Sequence, residues 1–258
     1  MELTIDGPAG RLVSWLAIPD ESSYDRPGLV LVPGFPNHPG GGANSFSTFP
    51  ELADRIADEA DVVVLTMAFR GLAGSEGNFS LGGWRRDLRA AIAHLRDRDA
   101  VEGIWLMGFG TGGALVIDEA AHDGDVAGVV AVAAPADFHD WASRPQQLLD
   151  HARRCGAISD DSFPEDVSGW SKELQRASTV KRAEKIDPDC RLLVLHGSSD
   201  DAVPVLDARA IADAHRGSEQ KIIDGGRHHL RHDPRAMALA IGWLYRRGVP
   251  ASFEAVAG

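Results

Sequence analysis

The sequence predicts an α/β fold, with a mostly parallel central sheet and helices on both faces of that sheet. Short apolar runs rich in branched residues alternate with longer segments of helical periodicity through most of the chain. Such alternation is typical of βαβ units, in which a helix connects two parallel strands. The length of 258 residues and the hydrophobic content of 44% suit a single domain, residues 1–258, with a large core.

The strands are predicted from their apolar patterns. Alternating residues on either side of a turn with glycine and proline at 6–10 indicate a β-hairpin at an edge of the sheet. The later runs are apolar throughout, which is typical of parallel strands that are covered on both faces. These predicted strands are Gly28–Val32, Val62–Met67, Ile104–Met107, Val126–Ala133, Leu192–Leu195 and Lys221–Ile223.

The helices are predicted from apolar residues at i, i+3 and i+4 spacing. Thr48 and Glu51 resemble a capping box at the start of the first helix. Asp233 followed by Pro234 predicts the start of the last helix, with an N-cap residue and a proline at the first helical position. The predicted buried faces are Phe49, Leu52, Ile56 and Ala57 in the first helix, Trp84, Leu88, Ala91, Ile92 and Leu95 in the second, and Met237, Ile241 and Leu244 in the last.

Residues 135–185 interrupt the alternation of strands and helices. This segment contains short helix-like pieces with several charged residues, together with the aromatic residues Trp141, Phe163 and Trp170. We interpret it as a helical lid inserted over the carboxyl ends of the strands. Its tryptophans either line a pocket or form a small core within the insert, and the sequence favours neither alternative.

Composition and charge exclude several classes of partner. The formal net charge of -12 argues against nucleic acid and anionic membranes. Cys155 and Cys190 are far apart and form no C-x-x-C motif, which predicts reduced thiols in a cytoplasmic protein and no thiolate metal site. No signal-peptide pattern is present, and no apolar run approaches the roughly 20 residues of a membrane span. We therefore expect a small-molecule substrate or ligand, with a homodimer as a further option, and no metal or organic cofactor.

The most informative stretch is Gly108-Phe109-Gly110-Thr111-Gly112. It follows a predicted strand and precedes a predicted helix that begins near Thr111. A strand, a tight turn and a helix, with small residues two before and two after the centre, form the frame of the G-x-S-x-G nucleophile elbow. Gly110 occupies the centre, where that pattern has serine. The stretch therefore predicts the geometry of an elbow without its attacking hydroxyl group.

Four further motifs follow other predicted strands and support a resemblance to a known family. Pro33-Gly34-Phe35-Pro36 resembles a His-Gly-Phe oxyanion loop with proline in place of histidine, and Phe69–Ser75 resembles a D-x-R-G-x-G-x-S turn. His196–Pro204 resembles H-G-x-x-D-x-x-V-P, and Gly225–His228 resembles a G-x-x-H turn. Together with the elbow, and in this order, these motifs make nearly the whole chain similar to the α/β-hydrolase superfamily.

The resemblance implies a role for each site residue. His228 would be the general base, and Asp200 would orient its imidazole ring. The backbone N–H groups of Phe35 and Thr111 would form the oxyanion hole. Gly110 would stand at the position of the nucleophile.

Several alternatives to these assignments stay open. His229 is adjacent to the predicted base and Asp201 to the predicted acid, although the register of both turns favours the first residue of each pair. Asp137 also follows a predicted strand and is a third candidate for the acid. The run Gly40–Gly42 lacks a following lysine and a strand-turn-helix frame, so we interpret it as a flexible loop rather than a phosphate-binding loop.

Glycine at the centre of the elbow can be explained by backbone strain alone, without reference to catalysis. The elbow residue adopts a left-handed backbone conformation, which costs a non-glycine residue about 1–2 kcal/mol. Glycine removes that cost. Selection for stability and deliberate silencing of an enzyme would both place glycine at 110, and the sequence does not distinguish these origins.

Two other groups are candidates for the nucleophile in place of the missing serine. Thr111 is the adjacent hydroxyl, but Phe109 would then occupy a position that needs a small residue. A water molecule deprotonated by the pair of His228 and Asp200 is a further option, since general-base catalysis contributes roughly 10²–10⁴-fold. Serines that fall on loops near the predicted site, without a spacing that supports them, are Ser45, Ser47, Ser75, Ser198 and Ser199.

Two classes of function follow from these residues. The first is a hydrolase of a small ester, thioester or amide, either silenced at position 110 or working through a His–Asp pair and water. The same pair could also abstract a proton in a lyase or a cofactor-free oxygenase, as in some relatives of the family. The second class is a non-catalytic pseudohydrolase that binds a ligand or a protein.

Overall fold

A computed structural model of the protein describes residues 1–19, 25–38 and 46–248. Their strands are β1 (Glu2–Gly7), β2 (Gly10–Ala17), β3 (Arg26–Val32), β4 (Val63–Met67), β5 (Val101–Phe109), β6 (Val126–Val132), β7 (Arg191–Gly197) and β8 (Glu219–Ile223). These strands form one sheet in the order β1-β2-β4-β3-β5-β6-β7-β8. β1 pairs with β2 and β2 with β4 in antiparallel fashion, and all other pairs are parallel. The predicted α/β fold with a mostly parallel sheet is confirmed, and the predicted hairpin does lie at an edge.

The helices form two layers against the sheet. They are α1 (Phe49–Ala60), α2 (Leu81–Arg96), α3 (Thr111–Ala120), α4 (His139–Ser143), α5 (Pro145–Arg154), α6 (Val167–Arg176), α7 (Thr179–Ala183), α8 (Val205–Ala214) and α9 (Pro234–Gly248). α1 packs against α9, whereas α2 packs against α3. The residues predicted to face the core from α1, α2 and α9 are all buried.

β5 is longer than the sequence predicts, whereas the last helix starts where the sequence predicts. β5 extends over Val101–Phe109, beyond the predicted Ile104–Met107, because it pairs with β3 on one side and β6 on the other. Backbone pairing can thus continue past the apolar run that marks a buried strand. The last helix begins as predicted, since an Asp233 carboxylate oxygen accepts a hydrogen bond from the Arg235 N–H at 2.9 Å.

The capping box predicted for the first helix is wrong. Thr48 stands at the N-cap position of α1, but its side chain makes no capping hydrogen bond. The Thr48 Oγ1 atom instead accepts a hydrogen bond from Arg231 Nη1 at 2.6 Å. The two residues are 183 positions apart in the sequence, so a local sequence pattern does not predict their contact.

The segment predicted as a lid contains α4, α5, α6 and α7, which all lie between β6 and β7 in the chain. Trp170 is buried, and its Nε1–H donates to the backbone oxygen of Phe79 at 3.2 Å. Trp141 is partly exposed and borders the cavity described below. Trp141 thus fits the pocket alternative, whereas Trp170 contacts Phe79, which lies outside the insert. The action of the segment as a lid stays a prediction.

A buried ion pair holds the turn between β4 and α2. The Arg70 guanidinium donates to the Asp87 carboxylate, with the shortest contact at 2.6 Å, and the Asp87 side chain is fully buried. Asp87 also accepts a hydrogen bond from the Arg70 backbone N–H at 3.0 Å. Removing one partner of such a pair would leave an uncompensated buried charge, so the pair fixes the conformation of this turn.

The remaining predictions concern membranes, metal ions, the glycine-rich loop, the location of the protein and its oligomeric state. Across the three described ranges, no helix is long and apolar enough to cross a bilayer. In the same ranges, no group of three or more His, Cys, Asp and Glu side chains is arranged to hold a metal ion. Gly40–Gly42 and Ser45 lie outside the described residues. The cytoplasmic location and the homodimer remain predictions.

Candidate active site

The predicted elbow is formed between β5 and α3. Gly110 connects the two elements with φ 52° and ψ -120°, in the left-handed half of φ space that favours glycine. The Gly110 N–H donates to the backbone oxygen of Val132 on the neighbouring strand at 2.8 Å. This hydrogen bond anchors the turn at the carboxyl ends of β5 and β6, where ligands bind in open α/β sheets.

The glycines on either side of the elbow are required by close backbone approach. A Cβ on Gly108 would lie 2.3 Å from the backbone oxygen of Gly112, one turn further on. A Cβ on Gly112 would lie 2.3 Å from the oxygen of Pro33 and 3.0 Å from that of Val32. α3 therefore starts directly against the loop that follows β3, which brings Gly110 next to that loop.

We expect Gly112→Ala to lower the free energy of unfolding by about 1–3 kcal/mol or more, because the added methyl group meets backbone atoms that cannot rotate away. Gly124→Ala is the matched control, since a Cβ at exposed Gly124 has nothing within 4 Å and should change stability by less than about 0.5 kcal/mol. Urea unfolding of both variants measures the difference. Equal stability of the two variants would contradict the close approach.

The predicted acid and base lie together at the ends of two other strands. Asp200 follows β7 and His228 follows β8. The His228 Nδ1 atom lies 2.9 Å from Asp200 Oδ2. The Asp200 side chain is fully buried, whereas that of His228 is 15% exposed. The pair thus has a buried carboxylate behind an imidazole ring that keeps access to the cavity.

Asp200 is held as a carboxylate by several donors. Its Oδ1 accepts the N–H groups of Ala202 at 2.9 Å and Val203 at 2.8 Å. Its Oδ2 also lies 3.3 Å from the Nε2 atom of buried His196. Burial alone would raise the pKa of Asp200, but the hydrogen bonds from His196, His228 and the Val203 backbone outweigh it and hold that pKa well below its usual range. An ionised Asp200 keeps the proton of His228 on Nδ1 and leaves Nε2 free to act as a base.

The other nitrogen of His228 faces the elbow. A Cβ placed on Gly110 would lie 3.6 Å from His228 Nε2 and 3.8 Å from its Cε1. The next closest atom is the Cα of Gly34, at 4.0 Å. A side chain therefore fits at position 110 without a clash, and its second heavy atom can come within hydrogen-bonding distance of the imidazole.

The predicted oxyanion donors lie next to the elbow. Thr111 is the first residue of α3, so its N–H has no acceptor within that helix. The loop of Phe35 is held from the insert, because His151 Nε2 lies 3.0 Å from the backbone oxygen of Pro36. The ring of Phe35 packs edge-on against Phe79, with centroids 4.7 Å apart. Both predicted donors belong to residues that line the same cavity as His228.

A cavity of about 440 Å³ opens above these residues. That volume is in the range of small-molecule sites. Its described lining residues contain no serine and no cysteine. They are Phe35, Asn37, Gly110, Thr111, Pro135, Asp137, Phe138, Asp140, Trp141, Leu148, His151, Ala202, Val203, Pro204, Asp207 and His228.

The alternative candidates for the acid and the base lie in different surroundings from Asp200 and His228. The Nε2 atom of His229 lies 3.0 Å from Asn37 Nδ2. Burial of the ring and the nearby His228 both lower the pKa of His229. Asp201 is exposed. The Asp137 carboxylate accepts the His139 N–H at 2.9 Å. Of the three described candidates for the acid, Asp200 is the one whose carboxylate lies within hydrogen-bonding distance of the His228 ring.

The alternative serine nucleophiles also have structural contacts. Ser75 is buried; its hydroxyl donates to the Ala68 oxygen at 2.8 Å and accepts the Val13 N–H at 2.9 Å. The Ser198 hydroxyl accepts the Gly225 N–H at 2.8 Å.

His151 is a site residue that sequence reasoning missed. It lies on α5, lines the cavity and contacts the Pro36 oxygen, and the Sγ atom of Cys155 lies 3.6 Å from its Nε2. The contact with Pro36 spans 115 positions. No local motif surrounds His151, so only its i, i+4 spacing to Cys155 offered a signal.

Comparison with known proteins agrees with this fold. No protein-family profile matches the chain. It is 26% identical over 181 residues to the uncharacterized protein YfhR of Salmonella typhi, which covers 66% of this chain and 56% of that protein. It is 25% identical over 225 residues to the mitochondrial palmitoyl-protein thioesterase ABHD10 of Homo sapiens, covering 82% and 69%. The chain thus spans little more than half the length of YfhR.

Solved structures show the same architecture. Est1E from Butyrivibrio proteoclasticus, with ferulic acid bound, superposes with a TM-score of 0.74 at 19% identity. The match covers 99% of this chain and 100% of that one. The chain therefore has the α/β-hydrolase fold.

Proposed function

We propose that the cavity is an acyl-hydrolase site for small esters or thioesters, in which Gly110 stands at the nucleophile position. The observation that carries this proposal is the 3.6 Å between His228 Nε2 and a Cβ placed on Gly110. A base directed at an empty elbow, with a buried carboxylate behind it, has the arrangement needed to activate an attacking oxygen. A binding pocket alone has no use for that arrangement.

In the chain as it stands, the attacking oxygen is that of water. His228 Nε2 removes a proton from a water molecule bound at Gly110, and the water oxygen forms a bond to the carbonyl carbon of the ester. The Thr111 N–H stabilises the resulting oxyanion, with Phe35 as the predicted second donor. The bond to the alcohol or thiol then breaks, and His228 returns the proton to the leaving group. The products are a carboxylic acid and an alcohol or thiol.

The relatives support this class of substrate. ABHD10 is named a palmitoyl-protein thioesterase, and the Est1E structure contains ferulic acid. Both names concern acyl groups, but the cavity of about 440 Å³ suits a short or compact acyl group. We further assign the helices of residues 135–185 the role of a lid, because Trp141 and His151 of that segment border the cavity.

We expect the unmodified chain to hydrolyse an activated ester such as p-nitrophenyl acetate slowly, and His228→Ala to lower that rate by about 10²–10⁴-fold. Release of p-nitrophenol measures both rates. His122→Ala is the control, because His122 lies at the end of α3, where its Nδ1 contacts the Asp118 oxygen away from the cavity lining. Equal turnover by the chain and by His228→Ala would reject the dyad.

A non-catalytic binding protein is the second candidate, and Gly110 itself favours it. Glycine is the most stable residue at φ 52°, so a protein that only binds its ligand would keep it. This candidate predicts that an ester raises the melting temperature while no product forms. Product formation that depends on His228 would exclude it.

A further inference from the structure

Three aspartates line the cavity, together with the histidines His151 and His228. Asp137, Asp140 and Asp207 line the cavity, whereas none of its described lining residues is a lysine or an arginine. Asp140 lies in α4, Asp137 lies two residues before that helix, and Asp207 lies in α8, so the carboxylates come from two separate parts of the chain. The sequence outside the described ranges contains no lysine or arginine either.

These carboxylates are not neutralised by cations of the protein. Among the described residues, no lysine or arginine nitrogen forms an ion pair with any of the three. Asp207 accepts the Ala136 N–H at 2.9 Å, which positions it without cancelling its charge. Asp137 accepts the His139 N–H, and the His139 Nδ1 atom lies 3.7 Å away. These carboxylates therefore give the cavity a negative electrostatic potential that favours a positively charged ligand.

An aromatic wall accompanies the carboxylates. Phe35, Phe138 and Trp141 all line the cavity. The ring centroid of Trp141 lies 5.1 Å from that of Phe35 and 5.4 Å from that of Phe138. Contiguous aromatic rings attract ammonium groups through their electron-rich faces, and quaternary ammonium groups are recognised by such sets of rings.

We propose that the preferred substrates are small esters or thioesters that carry an alkylammonium group, with the cation against Trp141 and Phe138 and within the field of Asp137, Asp140 and Asp207. A neutral aromatic wall alone would suit any apolar group, and carboxylates alone would suit any cation. Both features together favour a ligand that is apolar on its surface and positively charged. The inference rests on the proposed function for the bond that is cut, but the recognition of the ammonium group can be measured without turnover.

The test uses three ligands of nearly equal shape and different charge. Acetylcholine carries a trimethylammonium group, 3,3-dimethylbutyl acetate replaces its nitrogen with carbon, and O-acetylisethionate carries a sulfonate. We expect titration calorimetry of the Gly110 chain to show acetylcholine binding at least about tenfold more tightly than the neutral ester, with the sulfonate weakest. Equal affinity for the cationic and neutral esters, or no binding of acetylcholine at millimolar concentration, would overturn the proposal.

Variants separate the local field from the overall charge of the protein. Asp137→Asn combined with Asp140→Asn should reduce the preference for acetylcholine at least threefold, and both side chains are exposed enough for the fold to tolerate the change. Asp150→Asn is the control, since Asp150 is exposed on α5 and is not a lining residue. A preference that falls equally in all these variants would reflect the net charge and would also overturn the proposal.

The two proposals fail separately. A cationic preference in binding with no hydrolysis by any variant would sustain the inference and reject the proposed function. Hydrolysis that depends on His228, without a preference for the cationic ester, would sustain the proposed function and reject the inference.

Discussion

Replacing Gly110 with serine is expected to raise kcat for an activated ester by about 10³–10⁶-fold and to produce a burst of released alcohol. Loss of the nucleophilic serine from a working triad costs about 10⁶ in kcat, so restoring it to an assembled site should recover much of that factor. The groups of the proposed site are already close together, because His228 Nε2 lies 3.6 Å from the new Cβ and 2.9 Å separates His228 Nδ1 from Asp200. A burst is expected because the acyl group would be transferred to the serine before water releases it.

The matched control for this variant is Gly110→Ala. Both substitutions place a Cβ at φ 52°, so both should lower the free energy of unfolding by about 1–2 kcal/mol. Only the serine variant should gain activity. A gain in the alanine variant would show that the added carbon, rather than the hydroxyl group, changes the rate. A folded Gly110→Ser protein with less than tenfold gain would contradict the proposed geometry.

Asp200→Asn in the Gly110→Ser background should lower kcat by about 10⁴-fold. An asparagine amide would donate to His228 Nδ1 and place the ring proton on Nε2, so the ring could no longer accept the serine proton. Asp201→Asn is the matched control, because Asp201 is the next residue in the chain, is exposed and makes no contact with His228. Stopped-flow kinetics of both variants measures the loss. Equal losses at the two positions would show that Asp200 has no special role.

The same substitution should have a pH-dependent effect on stability. The pKa of Asp200 is lowered in the folded protein, so the folded state favours the ionised carboxylate. This stabilisation is fully present above the carboxyl pKa of the unfolded chain, about 3.9, and is lost as the pH falls toward the lower folded value. We expect Asp200→Asn to lower the free energy of unfolding by about 2–3 kcal/mol near pH 7. A difference that stays constant from pH 7 to pH 3 would contradict the assigned pKa direction.

Much of the fold could be predicted because its signals are local. Continuous apolar runs mark the strands of a sheet that is covered on both faces, and turns such as Asp233-Pro234 mark helix starts. The positions of Gly110, Asp200 and His228 could be predicted because each lies in a short motif directly after a strand. The parallel sheet then brings these strand ends to one edge.

The remaining features depend on contacts between distant parts of the chain. His151 reaches Pro36 only because α5 packs over the loop after β3, and Thr48 binds Arg231 instead of capping α1. Asp140 and Asp207 border one cavity although they lie 67 positions apart in the sequence. Sequence spacing contains no signal for such proximity, since the insert could pack in several ways.

We propose that position 110 faces a working base, and a covalent label can detect this arrangement. The Gly110→Ser protein is incubated with a serine-directed fluorophosphonate, and intact mass with peptide mapping locates the adduct. We expect one adduct per chain, on the residue introduced at position 110, and its loss when His228→Ala is added. A folded Gly110→Ser protein that stays unlabelled, or that is labelled equally well without His228, would contradict it.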